Sequence, residues 1–298
     1  MQRVSKLFLA SRAVPRPHRH WHIIAVHGVK RLAIYIIALF ILVVAILPVL
    51  WTISHALMEG GQSQALRPKL IPYPIYWGNF ERVFRSLDPS KPVLNWFKNS
   101  VLLTGINVTG QILLATIAGY GFCRFRFRLR KIMFVVLMAT MIVPPIVKIV
   151  PQYKMFASWG WTNTYLPLTL PTWFGGAFLT FLFYQYFCSI PRSLDESAML
   201  DGANQLQIFY KIIIPLSTPI LATAVVWTFV SNWTNFLEPY IYLHDAQKYT
   251  MAIILAYEGG FTPYKAAYIL FFSSPTVLIF FLLQRYFVKG IQISILKE

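Results

Sequence analysis

Six mostly apolar runs of roughly 20 residues set the terms for this 298-residue chain: Leu32–Ser54, Phe97–Phe122, Ile132–Val150, Leu166–Cys188, Ile212–Phe236 and Tyr268–Phe287. A helix rising about 1.5 Å per residue crosses a hydrocarbon core of about 30 Å with that length. Lipid offers no partner to a backbone N–H or C=O, so runs of this kind pair their own backbone and fold as helices. The expected fold class is therefore all-α integral membrane, with six transmembrane helices. Pro144, Pro145, Pro167 and Pro171 interrupt the third and fourth runs, which spans tolerate where neighbours satisfy the freed carbonyls.

Only 12% of the residues are charged against 57% hydrophobic, about half the charge of a soluble domain. Disorder, collagen and a secreted disulfide scaffold are excluded. The net charge of +17 would suggest a nucleic-acid partner in a soluble protein. Here the basic residues gather in tails and short loops between the runs, without a basic stripe interleaved with exposed aromatics, so no nucleic acid is expected. With the N-terminus inside, 17 of the 27 Lys and Arg lie on the cytoplasmic side, including Arg124, Arg126, Arg128, Arg130 and Lys131 after the second run. Positive charge is retained inside, so both termini are expected to be cytoplasmic.

That orientation divides the chain into a cytoplasmic basic tail (1–31), a first transmembrane helix (32–54), an extracytoplasmic loop (55–96), a five-helix core (97–290) with an inner loop at 189–211, and a cytoplasmic C-terminal tail (291–298). The start reads as an uncleaved span, since a long basic segment precedes an apolar stretch too long for a signal core. His18, His20 and His22 alternate with Arg19 and Trp21, a juxtamembrane patch suited to anionic lipid rather than a metal site. Cys123 and Cys188 are expected as reduced thiols on the cytoplasmic side. In the long outer loop, 79–84 suggests a short amphipathic helix with Asn79 as its cap.

No G-x-x-x-x-G-K-[ST] loop is present, so ATP is not bound by that route. The spans hold almost no ionisable residues of the kind that couple ions to transport, which disfavours the alternative of an ion-coupled secondary transporter of a small polar solute. Neither H-E-x-x-H nor G-x-S-x-G occurs, and no enzyme activity is expected.

The inner loop carries more information. Ser193 and Glu196 have the spacing of a capping box, Asp195 and Glu196 suit a first turn, and Asp201-Gly202 suits a left-handed stop two turns later. A second amphipathic stretch then leads to Pro215. The sequence predicts a helix of about two turns followed by a stop and a second helix.

These residues resemble the membrane permeases of binding-protein-dependent ABC importers, in the carbohydrate branch related to the maltose permease. That family's signature is E-A-A-x-x-x-G, nine residues, then I-x-L-P. Here Glu196-Ser197-Ala198 and Gly202 are followed by nine residues and Ile212-Ile213-Ile214-Pro215, with Ser197 for the first Ala and Ile214 for Leu. Asp201-Gly202-Ala203, Ile208-Phe209, Arg124-Phe125-Arg126-Phe127, Met141 to Pro145 and Gln284 to Gly290 extend the likeness over roughly Asn99 to Lys289.

The resemblance implies a type I ABC importer permease fold and a bacterial or archaeal cytoplasmic membrane. It implies a second homologous permease subunit, two ATP-binding cassette ATPase subunits that bind ATP and Mg, and an extracytoplasmic solute-binding protein. This chain would carry no cofactor or metal of its own. Glu196, Ser197, Ala198, Asp201, Gly202, Ala203 and Pro215 would couple it to the ATPase, with Ala198 permitting close approach, Gly202 the stop and Pro215 the angle of the fifth span. For a sugar path, Trp173, Tyr184, Asn232, Trp233 and Asn235 offer aromatic faces and amides. The segment from Glu238 to Ala267, with Glu258-Gly259-Gly260-Phe261, would meet the solute-binding protein.

Overall fold

The computed structural model describes residues 18–63, 70–86, 92–174, 176–257 and 260–295. They form helices α1 (His18–Ala56), α2 (Gly60–Ser63), α3 (Gly78–Ser86), α4 (Pro92–Arg124), α5 (Arg130–Ala139), α6 (Pro145–Ser158), α7 (Leu166–Phe174), α8 (Ala177–Ser189), α9 (Ser193–Leu200), α10 (Gln205–Ile208), α11 (Ile214–Leu216), α12 (Thr218–Trp233), α13 (Leu237–Tyr242), α14 (Met251–Tyr257) and α15 (Pro263–Ile295). No strand occurs among the described residues. The chain divides into two units, residues 1–54 and 55–298.

The first unit is most of α1, whose Leu32, Ile36, Phe40, Val43 and Leu47 are exposed. A helix apolar on every side suits lipid as its surroundings. Residues 18–31, expected within a basic tail, already belong to this helix, and residues 1–17 of that tail lie outside the described residues.

In the second unit α4 is the central helix, packed by α7, α8 and α12. Close approach explains two of its glycines. A Cβ on Gly119 would meet Phe183 Cβ at 2.8 Å, and one on Gly110 would meet Trp173 Cε2 at 2.2 Å. Gly119 thereby lets α8 lie directly on α4, and Cys123 and Cys188 meet where the two helices end, Cα atoms 5.6 Å apart. The expectation of two unpaired thiols did not foresee this packing, which joins positions 65 residues apart.

Among the described residues four helical segments are long and apolar enough to cross a membrane: Lys30–Ala56, Val93–Arg124, Leu166–Ser189 and Pro263–Tyr286. A fifth is bent by 78° between Gln205–Leu216 and Thr218–Trp233. The third expected span is instead two helices, α5 and α6, of 10 and 14 residues. Pro144 is extended (φ −58°, ψ 135°) and Pro145 opens α6, because a proline disfavours helical backbone in the residue before it and suits the first helical position.

The amphipathic helix expected in the outer loop is α3. Asn79 does not cap it: its side chain is buried and donates to the carbonyls of Ala56 (2.9 Å) and Met58 (2.8 Å). Two carbonyls left free near the end of α1 thus outweigh the helix start as partners for the amide.

Candidate functional site

The loop after α8 forms the helix, stop and second helix that its sequence predicts. Its start differs. Ser193 is the first residue of α9, preceded by Arg192 in helical conformation, and neither Ser193 nor Glu196 makes a side-chain cap. Arg192 is held there because its guanidinium donates to the Cys123 carbonyl at 3.3 Å. The capping box falls eleven residues later, where Asn204 accepts from the Gln207 amide and the Gln207 side chain accepts from the Asn204 amide, both at 2.9 Å.

Between the helices Gly202 takes φ +84°. Its N–H donates to Met199 O (3.0 Å) and that of Ala203 to Ala198 O (2.9 Å), satisfying carbonyls that the end of α9 leaves free. A wide turn at Phe209–Ile213 leads to Pro215. Ser217 then turns its hydroxyl back onto Ile213 O (2.7 Å), and the helix restarts at the 78° bend.

What fixes α9 to the bundle is a buried ion pair. Arg124, the last residue of α4, places Nε 2.8 Å from Asp195 Oδ2, with the two side chains 5% and 9% exposed. The same guanidinium donates from Nη2 to Ile190 O at 3.1 Å. Burial pushes the Asp195 carboxyl above its ordinary value, while Arg124 and Arg192 pull it back. Tyr120 adds a hydrogen bond to Gln205 (3.1 Å) and its ring lies 4.8 Å from that of Phe209.

Asp195 and Ala198, three apart, share the face that α9 turns to the bundle, and Ala198 is 8% exposed in a cluster with Phe183, Phe187 and Ile208. This corrects the expectation that Ala198 faces a partner. Glu196, Ser197, Asp201 and Gly202 lie on the exposed side, Ala203 is half-buried and Pro215 exposed. Leu194, Met199 and Leu200 are exposed too, Leu200 at 90%. A two-turn helix therefore carries an apolar rim and acidic groups outward from a rigid root.

The structure distributes the five sugar-path candidates over three places. Asn232, Trp233 and Asn235 meet at a small polar cavity shared with Asn107, Ser100 and Thr250. Asn107 donates to Asn232 Oδ1 (2.9 Å) and Leu168 O (3.0 Å), Asn232 donates to Thr228 O (2.8 Å), and Asn235 donates to Glu238 Oε2 (2.8 Å). Trp233 is 2% exposed, donates to Phe272 O at 2.8 Å and stacks on Phe229 and Phe272. Among the described residues Asn107 Oδ1 and Thr250 Oγ1 are buried without a hydrogen-bond partner, so the cavity keeps unused polar capacity.

Trp173 lies in a separate, largely apolar groove of about 580 Å³ with Leu114, Ile117, Phe122 and Val136. Tyr184 packs on Phe134, ring centroids 4.5 Å apart, near the basic run that follows α4. Sequence reading missed Asn107 and Arg124 as the residues that organise the two sites. An amide near the middle of an apolar run was the available signal for Asn107, since such a group needs partners in lipid.

Asn163, at φ +58°, receives the backbone N–H groups of His244 (3.2 Å) and Asp245 (3.1 Å) on Oδ1, while Asn99 donates to the carbonyls of Gln247 and Tyr249. The loop between α13 and α14 is thereby tied to α4. Glu258 and Gly259, expected to probe a partner, lie outside the described residues.

Residues 111–293 match the family described as the binding-protein-dependent transport system inner membrane component. The chain is 30% identical over 251 residues to the lactose transport system permease protein of Rhizobium radiobacter, covering 83% of this chain and 89% of the relative. It is 32% identical over 231 residues to the sn-glycerol-3-phosphate transport system permease protein of Yersinia pestis, covering 74% and 82%. With the galactooligosaccharides transport system permease protein of Bacillus subtilis it shares 28% over 271 residues, covering 88% and 94%. A crystal structure of a bacterial ABC transporter involved in import of the acidic polysaccharide alginate shares the fold, with a TM-score of 0.73 at 22% identity over 90% of this chain and 98% of that one.

Proposed function

The chain belongs to the binding-protein-dependent transport system inner membrane component family, and from that premise we propose that it is one of two permease subunits of an ATP-driven importer for a sugar or a related polyol or glycerol phosphate. It works beside a second homologous permease, two ATPase subunits that hold ATP and Mg, and an extracytoplasmic solute-binding protein. It hydrolyses nothing itself. Both termini and α9 face the cytoplasm of a bacterial or archaeal cell, where α9 seats in the ATPase.

The observation that carries this reading is the rigid root of α9: a buried ion pair on one face, an exposed apolar rim on the other. A lever must resist bending at its base while offering area to its driver. Leu194, Met199 and Leu200 provide contact for an apolar cleft, and Glu196 and Asp201 face its basic groups. Ala198 acts from below, since only a small side chain lets α9 lie so close to Phe187 and Ile208. Gly202 ends the helix, and the bend after Pro215 hands its movement to α12, which carries Asn232 and Trp233.

On this reading Asn232, Trp233 and Asn235 lie along the solute path, and Trp173 and Tyr184 lie off it. Amides bonded mainly to neighbouring helices shape that path, and a hydroxylated solute meets the unused acceptor of Asn107. Tagging the chain, extracting it gently and identifying its companions tests the proposal. A second permease and a phosphate-loop ATPase are expected, with solute uptake in reconstituted vesicles requiring ATP and the solute-binding protein. Recovery of the chain alone, moving solute without ATP, would overturn it in favour of a secondary carrier.

A further inference from the structure

The turn between α4 and α5 and the first two residues of α5 hold four cations that the transport reading leaves without work. Arg126, Arg128, Arg130 and Lys131 line one cavity of about 460 Å³. Among the described residues none of the four forms an ion pair; the acid that meets the end of α4, Asp195, is taken by Arg124. Four like charges around one cavity repel one another, and an anion is what relieves that.

The local helix sharpens the demand. Arg130 and Lys131 are the first two residues of α5, whose first turn has no acidic residue and whose preceding residue, Leu129, has no side chain able to cap it. Cations therefore stand at the positive end of the helix dipole, the reverse of the stable arrangement.

The remaining surroundings are those of an amphiphile. Phe127, Phe134 and Tyr184 form the cavity's aromatic side. Phe122, 5.4 Å from Phe134 by ring centroids, also lines the 580 Å³ apolar groove that continues along α4 and α5. Ile132, Val135 and Val136 expose more than half their surface on the same helix. A soluble anion has no use for such an apolar extension, and an acidic protein surface would meet the charges without it.

We propose that this cavity binds the phosphate headgroup of an anionic phospholipid of the inner leaflet, with an acyl chain laid along the α4–α5 groove. The orientation rests on the transport reading, which puts this end of α4 in the cytoplasm. Arginine forks grip the phosphate oxygens, Lys131 adds a point charge, and the bound lipid steadies the turn next to the Arg124–Asp195 root of α9.

Native mass spectrometry of the purified complex tests this, titrating dioleoyl phosphatidylglycerol against dioleoyl phosphatidylcholine, which has the same chains. Preferential retention of phosphatidylglycerol is expected. The triple variant R128Q/R130Q/K131Q should weaken it by about a hundredfold, roughly fivefold per neutralised charge. R128K/R130K, which keeps the charges, should bind within a few-fold of the unaltered complex, separating loss of the site from loss of the fold. Equal binding of the two lipids, competition by inorganic phosphate, or a triple variant that keeps the lipid but sheds the ATPase would each overturn the proposal. ATP-dependent uptake measured on the same preparation reports on the transport reading separately, since lipid retention in detergent does not depend on it.

Discussion

Gly202 has open space where a Cβ would stand, yet its φ of +84° still restricts what can replace it. The cost is backbone strain alone, about 1–2 kcal/mol for an L side chain. Gly202→Ala should therefore keep most uptake, and Gly202→Asn more. Gly202→Pro is different in kind: its ring fixes φ near −65° and it has no N–H for Met199 O. That variant should insert at normal abundance and lose coupled uptake, read as solute transport per inserted complex. Arg124 presents the complementary case. Removing one partner of a buried ion pair leaves a stranded charge worth about 3–5 kcal/mol. Arg124→Ala should lower the melting temperature of the purified chain markedly, and Arg124→Met with Asp195→Leu should recover most of the loss; simple additivity of the two single variants would show that the pair is not coupled. Gly202 was legible because a left-handed stop needs glycine. The Arg124–Asp195 pair was not, since nothing local links positions 71 apart in the sequence.

Among the elements, the helix-stop-helix of the loop could be read from spacing, yet its caps could not. Ser193-x-x-Glu196 and Asn204-x-x-Gln207 have equal claim to be capping boxes by pattern. Only the second forms, because Arg192 is drawn back to Cys123 O and α9 has already begun when Ser193 is reached. The same limit governs the third apolar run. Hydropathy registers Ile132–Val150 as one stretch, while the consecutive prolines decide that it becomes two helices. On α9 the burial pattern makes a prediction of its own. Leu200 is nearly fully exposed, so Leu200→Glu should leave the chain folded. Burying such a side chain against the ATPase contributes about 1.5–3 kcal/mol, and the variant should capture ATPase at least roughly tenfold more weakly in co-purification. Unchanged capture would place the contact elsewhere on the loop.

At the scale of the 55–298 unit, α4 is the common partner of α7, α8 and α12, and it joins the two sites. Asn107 near its middle holds Asn232, and Arg124 at its end holds Asp195. Hydropathy found the apolar runs but was blind to this, because which runs pack together depends on small residues such as Gly110 and Gly119 that periodicity does not weigh. Hence three sugar-path candidates met at one cavity while Trp173 and Tyr184 fell elsewhere. The contact of α4 with α9 also constrains orientation: since Arg124 and Asp195 touch, the basic run at 124–131 and α9 lie at the same end of the bundle. On the proposed function, retention of positive charge puts both in the cytoplasm, and the α13–α14 loop, tied to the other end of α4 by Asn99, outside. In a Cys123→Ser/Cys188→Ser background, a membrane-impermeant maleimide added to intact cells should label Gln247→Cys at once. It should reach Gln205→Cys only after permeabilisation. Labelling of Gln205→Cys alone in intact cells would reverse the orientation and take α9 away from any cytoplasmic ATPase, whereas labelling of both would contradict the placement of the two ends of α4, held by Asn99 and Arg124, on opposite sides.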